Sequence, residues 1–314
     1  MRCWQLNRRR KSRTLTFDSF TLNSALKLAK DLLKAAGIDN FNQEAEILAA
    51  FAFSIQREEL YMNPGRLLSS YESDIFENIL KERLNNNPLQ RITGEASFRG
   101  HRICVGDAVF IPRQETEGLV DLVLPRVSKG SRIIDVGCGS GCIAISILKE
   151  SEAALAVGMD ISNASILTSR LNSIINRVDN RFVGLHADLM RMSFDQVKAY
   201  LENVVDGLSV DGFDLAVCNP PYISHDLIEA LQPEVRYFDP HIALDGGSDG
   251  LLFYRILAQG ISGYLKDGSY VFLELGDGQA DDVVKIFSSF PQFHDFRVEK
   301  DLSSRERYLY MMYG

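Results

Sequence analysis

Between positions 20 and 88 apolar residues recur at helical spacing. Leu22, Ala25, Leu26, Ala29, Leu32 and Leu33 share one face, and Gly37 ends the run. A second helix opens over Gln43–Phe51. A third is predicted over Tyr71–Leu84, stopped by Asn85, Asn86, Asn87 and Pro88. This stretch has no cysteine, histidine or glycine loop, so a small all-helical domain with a non-catalytic role is predicted. From Leu89 to Val105, β-branched residues and Gly100 predict a hairpin or linker sheet. Beyond it the period changes. Short apolar runs at Arg132–Val136, Ala154–Asp160, Phe182–Asp188, Asp214–Asn219, Tyr270–Leu275, Phe296–Lys300 and Tyr308–Tyr313 alternate with helix-compatible segments. That alternation predicts an α/β, doubly wound, seven-stranded and mainly parallel sheet. The expected organisation is a basic extension over 1–19, a helical domain over 20–88, a hairpin linker over 89–108 and a large α/β domain over 109–314.

In such sheets ligands sit at the carboxyl ends of the strands, and the candidate chemistry gathers there. Asp135 closes the first strand and leads into Gly137-Cys138-Gly139-Ser140-Gly141, which opens a helix. Glycines let a backbone turn tightly and approach a ligand closely. A dinucleotide loop of the form G-x-G-x-x-G needs glycine at 142, where this chain has Cys142. The observed G-x-G-x-G preceded by Asp135 resembles a loop that binds S-adenosylmethionine. The second strand ends in Asp160, an acid placed to accept from both hydroxyls of a ribose, or alternatively to cap the helix starting near Ser162. Asp188 and Leu189 follow the third strand, and Asn219-Pro220-Pro221-Tyr222 follows the fourth. The two prolines end a strand and contribute only carbonyl oxygens. Asn219 adds a side-chain acceptor and Tyr222 a flat aromatic face. Together they suit gripping a planar NH2 by its two hydrogens while a ring covers its plane.

Composition narrows the classes. The net charge of −8 argues against a domain built to hold a phosphate backbone by bulk positive charge, so no direct nucleic-acid partner is expected. Nothing approaches a membrane-spanning apolar stretch, and no membrane association is expected. Cys3, Cys104, Cys138, Cys142 and Cys218 are scattered without a C-x-x-C pair, which reads as reduced thiols in a cytoplasmic protein with no metal site. The first nineteen residues carry Arg2, Arg8, Arg9, Arg10, Lys11 and Arg13 with no acid before Asp18. Such a segment fits an organellar transit peptide, a nucleic-acid-touching tail, or an unstructured extension.

Asn219-Pro-Pro-Tyr222 resembles the signature of methyltransferases acting on planar amino or amide nitrogens. Further segments narrow the resemblance: Ile111-Pro-Arg-Gln-Glu-Thr-Glu117, Glu234-Val-Arg236, Asp239-Pro240 and Ala243-Leu-Asp-Gly-Gly-Ser-Asp-Gly-Leu251. Over about residues 22–314 the chain resembles the release-factor glutamine methyltransferases, the HemK-like N5-glutamine methyltransferases. The resemblance implies a class I methyltransferase fold and S-adenosylmethionine as cofactor. It implies that the target is the glutamine of the Gly-Gly-Gln loop in class I peptide release factors, engaged partly by the helical domain. It also implies that Asp188 meets the adenine amino group, that Leu189 packs on the ring, and that Asn219 borders the cofactor. A monomer is expected.

In the mechanism this suggests, the Asn219 and Pro220 carbonyls each accept one N–H of the amide. Tyr222 packs on its plane, and no dedicated general base is needed. Glu115 and Glu117 would shape the pocket or cap a helix, and Arg113 would steer substrate or form an ion pair. Other readings are a ribosomal-protein glutamine methyltransferase and an N6-adenine methyltransferase. A non-catalytic S-adenosylmethionine-binding protein is a further one.

Overall fold

A computed structural model describes residues 20–205 and 211–314, so the basic extension over 1–19 lies outside the described residues. The chain divides between Thr93 and Gly94 into two compact units. In the first, the helices Leu22–Ala35, Phe41–Phe53 and Ser70–Leu84 bury one apolar cluster that includes Leu26, Leu33, Leu48, Phe53, Phe76 and Leu80. The third helix starts on a capping box: Ser69 accepts from Glu72 N–H, and the Glu72 carboxylate accepts from Ser69 N–H.

The region expected to be one hairpin linker is divided. Leu89–Thr93 is a short helix of the first unit, although Ile92 and Thr93 are β-branched. Pro88 suits a first turn, since its missing N–H would be unpaired there anyway. Leu89 and Ile92 pack on the helical core, so burial outweighs intrinsic preference. The hairpin proper pairs β1 (Glu95–Phe98) with β2 (His101–Cys104) in the second unit. Arg99 and Gly100 both have positive φ, 51° and 73°, as a two-residue turn between twisted strands requires.

The main sheet consists of β3 (Arg132–Val136), β4 (Leu155–Asp160), β5 (Phe182–His186), β6 (Phe213–Cys218), β7 (Leu265–Glu274), β8 (Phe293–Lys300) and β9 (Glu306–Tyr313). Their order is β5-β4-β3-β6-β7-β9-β8, parallel except that β9 runs against both neighbours. Both faces are covered. Ile134 and Val136 join one apolar cluster while Ile133 joins the other, and Val271 and Leu273 are likewise separated from Phe272. Burial on both faces explains why these strands read as nearly unbroken apolar runs. β8 begins earlier than its apolar run suggests, because a register shift between His294 and Arg297, with Asp295 at φ 54°, breaks the pattern. Among the described residues no helix is long and apolar enough to cross a membrane.

Candidate active site

The carboxyl ends of β3, β4, β5, β6 and β7 surround one cavity of about 580 Å³. Of the residues singled out in the sequence, Gly137, Cys138, Gly139, Ser140, Asp160, Asp188, Leu189, Asn219, Pro220, Pro221 and Tyr222 all line it. Asp135, behind the loop, and Gly141, its last residue, do not. This volume is typical of small-molecule sites.

The glycine loop is held from below. Gly139, at φ +53°, donates its N–H to Asp160 Oδ2 at 2.9 Å, and a Cβ built there would meet nothing within 4 Å. Asp160 Oδ1 accepts from Ser162 N–H at 2.8 Å. The helix beyond is capped by Ser162, not by Asp160. Each Asp160 oxygen therefore accepts one backbone N–H, and the carboxylate is also bonded by the Ser165 hydroxyl, which leaves limited acceptor capacity for a ligand. Burial raises the Asp160 pKa, and the Ser162 and Gly139 N–H groups and the Ser165 hydroxyl only partly offset that. Asp135 is fully buried. Its Oδ2 accepts from Ala144 N–H at 3.3 Å and its Oδ1 has no hydrogen-bond partner. Burial pushes its pKa up to about 7. At the cavity edge Asp188 Oδ1 accepts from Met190 N–H at 3.0 Å, and Leu189 is buried beside it.

Asn219 lies just past β6. Its Nδ2 donates to Thr116 Oγ1 at 3.0 Å, and Thr116 Oγ1 donates to Glu274 Oε2 at 2.7 Å. A hydroxyl has one proton, so giving it to Glu274 obliges Thr116 to accept from Asn219. This fixes the NH2 end of Asn219 toward Thr116 and leaves its carbonyl as the acceptor for a ligand. Thr116 occupies the position before helix Glu117–Val123, yet it makes no cap bond, because its hydroxyl is committed to this chain. Tyr222 OH points to Glu274 Oε1 at 3.5 Å.

The Ala243–Leu251 segment braces the Pro-Pro-Tyr turn. Gly246 N–H donates to Ile223 O at 2.8 Å, and Gln279 Nε2 donates to Tyr222 O at 3.0 Å. Gly250, at φ +74°, passes so close that an added Cβ would lie 2.5 Å from Tyr222 O. Arg113 ion-pairs with buried Asp239 and lies over the Phe110 ring at 5.0 Å. Arg236 bonds to Glu229, and Glu117 accepts from Arg99 N–H at 2.8 Å, which ties both to the fold.

The chain is 35% identical to the release factor glutamine methyltransferase of Geobacter sulfurreducens over 86% of its own length and 89% of the relative's. With that of Caulobacter vibrioides it shares 35% identity over 92% and 95%. The chain belongs to the release factor glutamine methyltransferase family. Residues 24–94 match the PrmC N-terminal domain, and residues 115–210 match the profile of ribosomal protein L11 methyltransferase (PrmA). A methyltransferase structure from Pyrococcus furiosus, 16% identical, superposes over 66% of this chain and 89% of that one with a TM-score of 0.44. Family and fold make this an S-adenosylmethionine-dependent methyltransferase.

Two site residues escaped sequence reasoning. Thr116 passes as a helix cap, and Glu274 passes as part of a β-strand. The available signal was Glu274 itself, a carboxylate inside the apolar run Val271-Phe-Leu-Glu-Leu275. A charge in such a run is buried, and a buried charge needs a reason.

Proposed function

We propose that the protein transfers a methyl group from S-adenosylmethionine to the side-chain amide nitrogen of the glutamine in the Gly-Gly-Gln loop of a class I peptide chain release factor. The observation that carries this is the fixed orientation of Asn219, whose carbonyl is left as an acceptor on the cavity. The donor set also suits the cofactor. Asp160 lies on the cavity with acceptor capacity left for a ribose hydroxyl, Asp188 can accept from an adenine amino group, and Leu189 offers an apolar face to the ring. Gly137, Cys138, Gly139, Ser140 and Gly141 form the loop beneath, backed by Asp135. S-adenosylmethionine, when bound, supplies an electrophilic methyl on a cationic sulfur.

The chain's own groups do the rest. Asn219 Oδ1 and the Pro220 carbonyl each accept one N–H of the target amide. This fixes the nitrogen and stabilises the positive charge it develops. Tyr222 covers the amide plane, and Pro221 keeps the turn rigid. Burial pushes the Tyr222 hydroxyl up to about 12, so the ring remains a neutral wall. The proton can leave to water after transfer, and positioning supplies much of the rate. The enzyme is read as a cytoplasmic monomer, and a protein substrate in place of nucleic acid agrees with the net charge of −8.

The test is transfer of labelled methyl to purified release factor, run beside the same factor with the Gly-Gly-Gln glutamine replaced, a ribosomal-protein substrate and DNA. Label on the intact factor alone is expected. Label on either other substrate would overturn the partner while leaving the family membership intact.

A further inference from the structure

We propose that Glu274, acting through Thr116, is a positioning residue that sets the direction of the hydrogen-bond chain presenting the Asn219 carbonyl to substrate. The proposal rests on the reading that Asn219 accepts an amide N–H. The geometry is a linear relay: Asn219 Nδ2 to Thr116 Oγ1 at 3.0 Å, then Thr116 Oγ1 to Glu274 Oε2 at 2.7 Å. A carboxylate only accepts, so ionised Glu274 draws the Thr116 proton toward itself and leaves Thr116 able only to accept from Asn219.

A protonated Glu274 reverses the chain. Its O–H donates to Thr116 Oγ1, and the Thr116 proton is released to point at Asn219. The carboxamide then does best by turning its oxygen toward Thr116, which puts its NH2 on the cavity. An NH2 facing the substrate NH2 is donor against donor, and the grip on the amide is lost. One proton on Glu274, at the wall of the cavity behind Thr116, thus decides whether Asn219 presents an acceptor.

Both states lie within reach. Glu274 is 2% exposed, and burial pushes its pKa up to about 7, against the lowering bond from Thr116 and the lowering charge of Arg307. From the segment before helix Glu117–Val123, Glu115 opposes ionisation. From β9 come Arg307, whose Nη1 donates to Leu275 O at 2.8 Å, and Tyr308. Tyr222 faces Glu274 from the turn after β6, and Tyr254 donates to its backbone carbonyl at 2.9 Å. Cys142 and Cys218 also face it, and burial raises both thiols, so neither adds charge near neutrality.

The experiment is kcat against pH at saturating S-adenosylmethionine and release factor, with cofactor affinity by calorimetry, for wild type, Thr116→Val, Thr116→Ser, Glu274→Gln and Asn219→Ala. Neither the amide nor the sulfonium titrates near neutrality, so a limb there reports the protein. Wild-type kcat is expected to rise on a one-proton limb near pH 7 and then level. Glu274→Gln retains a carbonyl that accepts from Thr116 and should lose the limb. Thr116→Val should hold kcat on the order of 100-fold below the wild-type plateau, without a limb and with cofactor affinity unchanged, and Thr116→Ser should restore both rate and limb. A limb that persists in Glu274→Gln overturns the proposal, as does wild-type kcat in Thr116→Val beside an inactive Asn219→Ala. If Asn219→Ala itself turns over normally, the reading of Asn219 fails first. Should Thr116→Val not fold, Glu274→Gln and Thr116→Ser still decide through the limb.

Discussion

Glu46 in the helical unit and Glu274 at the end of β7 are both glutamates drawn in from solvent, and they are treated in opposite ways. Burial opposes ionisation of Glu46, but Tyr61, Arg57 and Lys30 outweigh it and hold the carboxyl at about 2. Lys30 and Arg57 approach it at 2.9 and 2.7 Å. Glu274 has the hydroxyls of Thr116 and Tyr222 and the charge of Arg307, and burial still wins. Asp135 and Asp160 follow Glu274, whereas Glu72 in the helical unit is lowered by its Ser69 and Arg66 partners despite burial. These three acids beside the cavity lack the close cations that Glu46 and Glu72 have, whereas acids elsewhere in the α/β unit, such as Glu150 and Asp249, are paired with arginines and lowered. A cation paired to the acids beside the cavity would compete for the lone pairs that ligands need, and Arg113 and Arg307, which line the cavity, are committed to Asp239 and to Leu275 O. Carboxylates raised together beside one cavity mark a candidate site.

The sharpest way to break this contrast is at the acceptor itself. Asn219→Ala should lower turnover on the order of 100-fold or more, while calorimetry finds cofactor affinity nearly unchanged. Near-normal turnover would remove Asn219 from the chemistry. Next in size is a change in stability. Asp135 has a raised pKa in the fold, so it binds its proton more tightly there than in the unfolded chain. Stability therefore falls as pH rises from about 4 towards 7. Asp135→Asn removes that penalty. Without cofactor it should melt higher than wild type at pH 8, by about 2–4 kcal/mol in unfolding free energy. The gap should narrow steadily as pH falls towards about 4. A gap independent of pH would show that ionised Asp135 is tolerated in its site. Smaller again, Asp160→Ala should cost about 1–3 kcal/mol in cofactor affinity, the usual worth of hydrogen bonds to a charged group. Unchanged affinity by calorimetry would take away its ribose role.

What the sequence disclosed follows the same division. Strands buried on both faces announce themselves as apolar runs, and the glycine loop and Pro-Pro turn are local in the chain, so both were legible. The order β5-β4-β3-β6-β7-β9-β8 needs pairings between distant segments, and no local pattern carries that. The relay was hidden for the same reason. Asn219, Thr116 and Glu274 are far apart in sequence, and each has an ordinary local role to hide behind. The bracing of Tyr222 by Gly250 and Gln279 joins three segments and is likewise visible only in the fold. The Leu89–Thr93 helix was misread as sheet because β-branched residues were weighed without knowing that a helical core would bury them.

The smallest expected effect tests the other half of the contrast. Glu46 has a depressed pKa in the fold, so its stabilising contribution is complete above the unfolded value of about 4.3 and is lost as pH falls towards about 2. This is the reverse of Asp135. Replacing it as Glu46→Gln keeps the shape and the hydrogen bond from Tyr61 but drops the charge that Lys30 and Arg57 attend. Exposed ion pairs are worth little, so the loss at neutral pH should be about 1 kcal/mol or less, and it should weaken further in high salt. Hydrogen exchange of the helices Leu22–Ala35 and Phe41–Phe53 should report it. A loss as large as the gain in Asp135→Asn, or one insensitive to salt, would mean that Glu46 is also a buried charge and that it does not differ in kind from the acids beside the cavity.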